Sequence, residues 1–472
     1  MFDNAFPVTR RQFGAALGST VLASSAAEAS EAVQEAQEAP WNGPATVKKL
    51  YLCNNGGEGW PHPDVDAQKS IAGIEGEMAV LEEQNRNRVR FLKGDLLRPD
   101  NDIEAWINGL PDVDAILAFN LSTGIDTIFP PIIQSGIPTL LYARPYAGHS
   151  WSSFASWPRQ GKKADVLATS EYGDLQQYMP IFRTIYHMRK SKVLLVRQSD
   201  DRKELAAAFQ KQFGTTIQPL SYEQLKAAYD SVDVRKAEQA AQEFIKGAVK
   251  ILEPKPAQVT DALRFYFAVL DILKREKANA ITIDCLGGFA RGQLPAYPCV
   301  AWSKLNDQGM YGVCESDLYS TMTQLLVTSY CGKPGFVSDP VFDTSRNELI
   351  HAHCVAATAM QGIGAPTSPY IIRSHAEDKQ GVSMQVLMPT GQTVTLGKFA
   401  DARNFMVSTA EVIENVDHPS ACRTKIRTHV SDARKMLEQY AGSLHRVAFY
   451  GDYVKAIESM GRLMGFQVTR EM

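Results

Sequence analysis

The first three hundred residues alternate between short apolar runs and longer segments with apolar residues at helical spacing. The apolar runs predict strands at 48–53, 89–92, 115–119, 139–142, 192–196 and 280–284. The helical spacing predicts helices at 72–84, 103–110, 204–213, 222–231, 234–251 and 259–276. Strands that alternate with helices are typical of doubly wound parallel sheets. We therefore expect an α/β protein with two such domains on its N-terminal side.

The pattern changes near residue 298, beyond which turn residues separate shorter strands. Strands are predicted at 371–374, 382–388, 393–396 and 443–452, and the segment 389–392 predicts a hairpin between the second and the third. A helix at 454–463 and a strand at 466–469 follow. We expect a β-rich C-terminal domain. The predicted segments are a leader and linker at 1–40, α/β domains at 46–188 and 189–297, and the β-rich domain at 298–472.

The stretch from 301 to 354 carries the candidate chemistry. Two apolar runs end in Glu315 and Asp339, and the helical spacing of apolar residues predicts a helix at 317–330 between them. A strand–helix–strand interpretation puts both carboxylates at the carboxyl ends of successive strands, where α/β proteins bind ligands. His351 and His353 follow, and carboxylates with an imidazole are ligands for a divalent metal. Alternatively, the acidic residues cap helices, as Asp317 could do, and the histidines are packed.

Composition restricts the classes of function. The net charge of −3 is spread without a basic stripe, so we expect no nucleic-acid partner. No apolar run approaches eighteen residues, which predicts no transmembrane helix. The 7 cysteines are odd in number and lack paired zinc-ligand spacing, which favours small buried residues over a disulfide framework.

The N-terminus has the pattern of a twin-arginine export signal. Arg10 and Arg11 precede Gln12 and Phe13, and a mildly apolar run and then small residues follow. This predicts the twin-arginine translocase as a partner during export, a periplasmic or secreted protein, and no membrane anchor after cleavage. The alternative is a disordered tail that contains an Arg-Arg pair by chance.

A glycine-rich loop at 54–59 follows the first predicted strand. It lacks both the spacing of a dinucleotide-binding fingerprint and a P-loop lysine. A nucleotide-dependent α/β oxidoreductase is therefore the weakest of the functions considered, and we assign no residue to an organic cofactor.

Several motifs over roughly 280–472 resemble the L-fucose/L-arabinose isomerase superfamily, in its remote fucose isomerase-like branch. One is the run Cys314-Glu315-Ser316-Asp317, with Asp339 after a helix-length gap. Another is His353 followed by Cys354, and the last is His445 shortly before Val-Ala-Phe-Tyr-Gly-Asp. The resemblance implies two N-terminal α/β domains and a β-rich C-terminal domain of the fucose isomerase type.

The resemblance also implies a site and a reaction. In that family a divalent metal, typically manganese, is held by residues that match Glu315, Asp339 and His445, and His353 matches an additional histidine of arabinose-type members. The implied reaction is aldose–ketose isomerisation of a sugar through an enediolate, with Glu315 and Asp339 as general base and acid. A homo-oligomer is expected by resemblance.

Four further residues are candidate sugar contacts, and each is alternatively an ordinary surface or packing residue. They are Trp302, Lys304, Arg373 and Arg423. A different class of function also remains open, an exported carbohydrate-binding protein that keeps the isomerase-like fold without catalysis.

Overall fold

The structure is a computed structural model, and it describes residues 39–56 and 65–471. Arg10 and Arg11 of the predicted export signal lie outside these residues, as does part of the glycine-rich loop. Within the described ranges, no helix is long and apolar enough to cross a membrane. All the cysteines are free and most are buried, as expected for small packing residues.

The first sheet has five parallel strands in the order β2-β1-β3-β4-β5. Nearly every residue of the central strands is buried, so these strands lie in the core. Its elements are β1 (Ala45–Leu52), α1 (Ala67–Asn85), β2 (Val89–Leu97), α2 (Ile103–Asn108), β3 (Ala115–Asn120), α3 (Phe129–Gln134), β4 (Thr139–Ala143) and β5 (Ala164–Ala168). Short 3₁₀ segments lie at Pro40–Asn42, Ser150–Ser156, Pro158–Gln160 and Tyr172–Tyr178.

The second sheet has four parallel strands in the order β10-β9-β6-β7. Its strands and the helices around it are α4 (Met179–Lys190), β6 (Lys192–Val196), α5 (Lys203–Phe213), β7 (Thr216–Leu220), α6 (Tyr222–Ser231), α7 (Val234–Gly247), α8 (Pro256–Glu276), β9 (Ala280–Ile283), α9 (Cys285–Ala290), α10 (Cys299–Asp307) and β10 (Tyr311–Cys314). Between α7 and α8, the end of the helix predicted at 234–251 is instead strand β8 (Lys250–Ile251), which pairs with residues 371–372 in a separate sheet. Strand β10 lies beyond residue 298, yet it hydrogen-bonds to β9 of this sheet. The chain therefore returns to the second sheet before it enters the β-rich region.

The C-terminal region is β-rich, as predicted, and contains a closed antiparallel barrel. Strands follow the order β15-β18-β11-β12-β17-β16, and pairing of β15 with β16 closes the ring. Strand β19 adds to β16 in parallel. The elements are α11 (Leu318–Cys331), β11 (Phe336–Asp343), β12 (Glu348–His353), β13 (Tyr370–Arg373), β14 (Ser383–Val386), β15 (Gln392–Asp401), β16 (Asn404–Asn415), β17 (Thr424–His429), α12 (Ala433–Glu438), β18 (Arg446–Tyr450), α13 (Val454–Met464) and β19 (Gln467–Arg470).

The hairpin predicted through 389–392 is wrong. Strand β14 pairs with β13 in a small separate sheet, whereas β15 pairs with β16 and β18 of the barrel. The Asn415 side chain bonds both the backbone N–H and the carbonyl of Met388, and Tyr450 donates to the carbonyl of Pro389. These contacts hold the segment across the barrel, so it does not fold back on β14.

Helix α11 connects the second sheet to the barrel, at almost the residues that the sequence predicts. Asp317 caps its N-terminus and Gly332, with φ of +67°, ends it in the left-handed conformation. The apolar positions that gave the helical spacing, among them Met322 and Leu325, are fully buried. Because the helix packs against both α4 and β15, the loop after β10 lies against one end of the barrel.

Candidate metal centre

The loop after β10 presents Glu315 from a constrained turn. Glu315 and Ser316 have φ angles of +64° and +47°, a conformation that is unfavourable for residues other than glycine. The Ser316 N–H donates to the carbonyl of Ile283 at 2.9 Å, and Arg197 Nη1 donates to Ser316 Oγ at 2.6 Å. These two bonds hold the turn, and strained turns of this kind are concentrated at functional sites.

Glu315 meets two histidines from the barrel. His353 is the last residue of β12, and His445 immediately precedes β18. Glu315 Oε1 lies 3.8 Å from His353 Nε2, and Glu315 Oε2 lies 3.6 Å from His445 Nε2. One ligand atom from each of the three residues lies within 4.8 Å of the others. This group could hold a metal ion.

Asp339 joins the group from the neighbouring strand. Its Oδ1 lies 3.3 Å from His445 Nε2. The expectation that Glu315 and Asp339 occupy equivalent strand ends is wrong, because β10 belongs to a parallel sheet and β11 to the barrel. Asp339 lies within β11, opposite Ala352 of β12. The two carboxylates come together because α11 spans the distance between the sheet and the barrel.

Asp317 orients His445, a role that the sequence analysis missed. His445 Nδ1 donates to Asp317 Oδ2 at 2.8 Å, and both side chains are almost completely buried. The other oxygen of Asp317 accepts the N–H groups of Tyr319 and Ser320, so one carboxylate caps α11 and fixes the imidazole. A carboxylate that binds one ring nitrogen leaves the other available as a metal ligand. No local pattern distinguishes such a carboxylate from an ordinary helix cap.

The charges of these groups depend on one another. Burial lowers the pKa of His445, but its contacts with Asp317 and Asp339 outweigh burial and raise this pKa to about 10. Burial raises the pKa of Asp317 and of Asp339, and contact with His445 outweighs burial and lowers both. A metal ion that binds His445 Nε2 takes the place of a proton there, so binding releases that proton.

The residues fit a divalent metal ion. His445 Nε2 is buried and makes no hydrogen bond among the described residues, although it lies 3.6 Å from Glu315 Oε2 and 3.3 Å from Asp339 Oδ1. Buried polar atoms are nearly always paired, so this unpaired nitrogen beside two carboxylates indicates a site for a ligand. Carboxylate oxygens with imidazole nitrogens form a donor set that suits manganese and neighbouring divalent metals.

His351 does not belong to the centre, although it lies only two residues from His353. It is fully buried, its Nδ1 lies 2.9 Å from Ser338 Oγ, and its Nε2 lies 3.1 Å from Thr428 Oγ1. Both ring nitrogens are therefore satisfied by protein groups. Packing, the alternative considered for the pair, describes His351.

Two of the candidate sugar contacts, Trp302 and Lys304, lie on α10 beside aromatic residues. Trp302 is completely buried and packs edge-on against Phe265, with ring centroids 6.4 Å apart. A sugar cannot reach it without opening the core, so the assignment of Trp302 as a sugar contact is corrected to a core residue. Lys304 Nζ lies 5.3 Å from the centre of the Tyr266 ring. Neither residue contacts the metal centre.

The two candidate arginines hold the small sheet in place. Arg373 forms an ion pair with Glu253 at 2.7 Å and donates to Gln385. Arg423 donates from Nε to the carbonyl of Ser374 at 2.8 Å. The structure gives both arginines these structural partners and does not bring them into the group of Glu315, His353 and His445.

No protein-family model matches this chain. It is similar to proteins named sulfoquinovose isomerase, with 28% identity over 181 residues in a Clostridium species, 25% over 223 residues in Alkalicoccus urumqiensis and 22% over 217 residues in Priestia megaterium. These matches cover 37%, 45% and 44% of this chain, in the same order.

The matches also cover less than half of each relative. The covered shares are 38%, 47% and 48% of the Clostridium, Alkalicoccus and Priestia proteins. The similarity supports relatedness to sugar isomerases over part of the chain.

Proposed function

We propose that this chain is a metal-dependent sugar isomerase that interconverts an aldose and a ketose. The observation that carries the proposal is the group of Glu315, His353 and His445 at the barrel end, with Asp339 beside it and the unpaired Nε2 of His445 within it. Partial similarity to proteins named sulfoquinovose isomerase supports the same class of reaction. The fucose/arabinose isomerase-like resemblance supports it from the motifs.

The exposure of the two carboxylates supports a role in contacting a substrate. The side chains of Glu315 and Asp339 are 37% and 33% exposed, whereas the rings of His353 and His445 are each 5% exposed. The carboxylates therefore face the solvent side of the group, and the imidazoles form its buried side. Proton transfer by such positioned carboxylates contributes about 10² to 10⁴ in rate.

The isomerisation balances without an oxidant or a reductant. One carboxylate removes the proton from the hydroxyl-bearing carbon beside the carbonyl, and the electron pair forms the double bond of an enediol as the carbonyl oxygen gains a proton. A proton then returns to the former carbonyl carbon, and the neighbouring hydroxyl loses its proton to become the new carbonyl. Glu315 and Asp339 supply the base and the acid for these transfers.

We propose that Glu315, Asp339, His353 and His445 hold the metal, and that the metal is manganese or another divalent cation. A bound divalent ion polarises a carbonyl and stabilises negative charge that develops on neighbouring oxygens. The role of Asp317 is to hold the His445 ring so that Nε2 faces the carboxylates.

Metal content of the purified protein tests the site. We expect a divalent ion at close to one per chain in the wild type and a sharp fall in His445→Ala. His429→Ala is the matched control, because His429 lies exposed at the end of β17. Equal metal content in wild type and His445→Ala, after manganese is supplied to both, would reject the site.

Hydrogen exchange tests the reaction. Candidate sugars, including sulfoquinovose, L-fucose and L-arabinose, are incubated with the manganese-loaded protein in heavy water, and deuterium at the carbon beside the carbonyl is measured. Isomerase activity requires exchange with at least one sugar together with formation of its isomer. A protein that binds metal and sugar without exchange would instead be the non-catalytic carbohydrate-binding protein.

Two further proposals come from the sequence alone. We propose export through the twin-arginine pathway to a periplasmic or secreted location, which the N-terminal sequence of the mature protein and an Arg10→Lys, Arg11→Lys variant test. We also propose a homo-oligomer, which analytical ultracentrifugation tests. A mature protein that retains Arg10, or a monomer at micromolar concentration, would contradict the respective proposal.

A further inference from the structure

Lys398 of β15 is one of the largest side chains that are completely buried in this protein. Two other buried charges near it, those of Arg446 and Glu471, pair with each other at 2.6 Å. Nζ of Lys398 instead donates to the carbonyl oxygen of Ser443 and, at 2.7 Å, to its hydroxyl oxygen. Burial lowers the pKa of Lys398 to about 7, which shows that the ammonium ion is unfavourable at this position.

The contacts of Lys398 lie next to a proposed metal ligand. The connection between α12 and β18 has His445 as its last residue. Gly442 of this connection, with φ of +80°, crosses β15 so closely that a Cβ would lie 2.7 Å from the Cα of Ala400. Lys398 binds the next residue, Ser443, to the same strand. Strand β15 therefore holds the connection at two consecutive residues, shortly before His445.

Lys398 also acts on the carboxylate that orients His445. Burial raises the pKa of Asp317, and contact with His445, the Ser320 hydroxyl and the charge of Lys398 together lower it. Nζ of Lys398 lies 5.6 Å from the centre of the Tyr319 ring, in the first turn of the helix that Asp317 caps. The charge of Lys398 thus favours the ionised Asp317, which is the form that accepts the Nδ1–H of His445.

The surroundings of Lys398 separate it from a catalytic residue and from an ordinary packing residue. Because it is completely buried and donates to Ser443, it does not face the exposed side of the metal centre. An apolar side chain would fill the same space, and replacing buried charges by apolar groups is often neutral for stability. Ser443 is partly exposed, so water can bind its oxygens when the lysine is absent. The bonds from Lys398 therefore determine the path of the connection more than the stability of the barrel.

We propose that Lys398 is a positioning residue of the metal centre, which holds Ser443 to β15 and thereby sets where His445 presents Nε2 to Glu315 and Asp339. The inference rests on the proposed metal centre and adds to it a residue that contacts neither metal nor sugar.

Manganese titration tests the proposal. We expect Lys398→Met, which keeps most of the side-chain length and removes the donors, to weaken manganese affinity about tenfold, as loss of a group that orients a metal ligand does. Lys333→Met is the matched control, because Nζ of Lys333 donates to the carbonyl of Tyr450 at 3.0 Å, at the other end of β18 from His445. The affinity of this control should equal that of the wild type. Equal affinities in the wild type and Lys398→Met, or equal losses in the two variants, would overturn the proposal.

Hydrogen–deuterium exchange of the metal-free protein separates positioning from a general loss of stability. In Lys398→Met, the peptide that covers the connection between α12 and β18 should exchange faster, and the peptide that covers β12 should be unchanged. Equal acceleration in both peptides, or no acceleration in either, would overturn the proposal. A wild type that binds no manganese would reject the proposed metal centre, whereas this exchange experiment still decides whether Lys398 holds the connection.

Gly442→Ala tests the same attachment if Lys398→Met does not fold. The new Cβ would clash with Ala400, and a φ of +80° is unfavourable for alanine, so the exposed connection should move away from β15. We expect manganese affinity to fall severalfold. Gly391→Ala is the control, because Gly391 is exposed and has φ of +69° with no atom within 4 Å of the added Cβ. Undiminished affinity in Gly442→Ala would overturn the proposal.

Discussion

Strand β12 carries two histidines whose surroundings in the barrel differ. His351 lies inside the barrel with one ring nitrogen on Ser338 and the other on Thr428. His353, at the end of the same strand, has a buried nitrogen without a partner among the described residues and lies beside Glu315. The two side chains share a face of the strand, so residue type and local pattern do not separate them. The barrel end supplies carboxylates, and the barrel interior supplies hydroxyls.

The same contrast appears in the charges. Burial, with a contribution from the charge of Arg446, lowers the pKa of His351 to about 3, so this ring is neutral. His445 is nearly as buried, yet contacts with Asp317 and Asp339 raise its pKa to about 10. Burial alone therefore does not decide the state of a histidine in this barrel. The neighbouring carboxylates decide it, and they are also what a metal ion requires.

The largest effect should follow from removing the carboxylates at the barrel end. We expect Glu315→Gln and Asp339→Asn each to lower kcat about 10³-fold while the fold is kept, because each amide cannot accept the proton in transfer. Deuterium exchange at the sugar carbon measures this. Asp343→Asn is the control, because Asp343 ends the same strand in an exposed position. Wild-type exchange in Asp339→Asn would remove Asp339 from the proposed reaction.

A smaller effect, on metal affinity, should follow from removing the carboxylate that orients the His445 ring. We expect Asp317→Asn to weaken metal affinity about 10- to 100-fold, since the imidazole loses the carboxylate that orients it. Asp432→Asn is the matched control, because Asp432 also caps a helix through its carboxylate. Asparagine caps helices about as well as aspartate, so both variants keep their helix cap. Metal affinity, measured by titration, should fall only in Asp317→Asn. An equal change in both variants would show that Asp317 acts only as a helix cap.

The interior histidine should affect stability and leave metal binding unchanged. We expect His351→Gln to lower the free energy of unfolding by about 1–3 kcal/mol, because at least one buried hydroxyl partner is left without its bond. Urea denaturation measures the loss, with His429→Gln as the exposed control. If metal content falls in His351→Gln as it does in His445→Ala, His351 also contributes to the metal site, and the proposed difference between His351 and His353 is wrong.

The smallest effect concerns pH, at a histidine far from the barrel end. His187 is packed by Arg183, Tyr311 and Asn279, and burial followed by the charge of Arg183 lowers its pKa to about 3. The folded-state pKa lies below the unfolded value of about 6.5, so the unfolded chain binds a proton first as pH falls. The stability that His187 contributes is therefore complete above pH 6.5 and is lost between that pH and about 3.

This loss is measurable against His187→Gln, whose side chain does not titrate. The difference in free energy of unfolding between wild type and variant should shrink by up to about 1.4 kcal/mol for each pH unit below about 6.5. Urea denaturation at pH 7, 6 and 5 gives the difference at each pH. A constant difference would show that His187 takes up its proton equally in the folded and unfolded chain.

Local sequence determined many of the elements. Strand β6 and helix α6 have the predicted bounds, and α11 differs by one residue at each end. Each depends on signals within one segment, such as the Ser221 capping box of α6 or Asp317 and Gly332 around α11. The candidate ligands Glu315, Asp339, His353 and His445 were also found from the sequence, through motifs that resemble an isomerase superfamily.

Only the tertiary structure decided which strands pair and what each ligand contacts. It placed β10 in the second sheet and β15 beside β16, and it buried Trp302 in the core. It also brought Asp317 to His445 across 128 residues of sequence. Backbone hydrogen-bonding groups are alike in every strand, so the residue pattern of one strand does not identify the strand with which it pairs. The choice follows from how apolar faces pack together over the whole chain, and that packing set the roles of Asp317, His351 and His353.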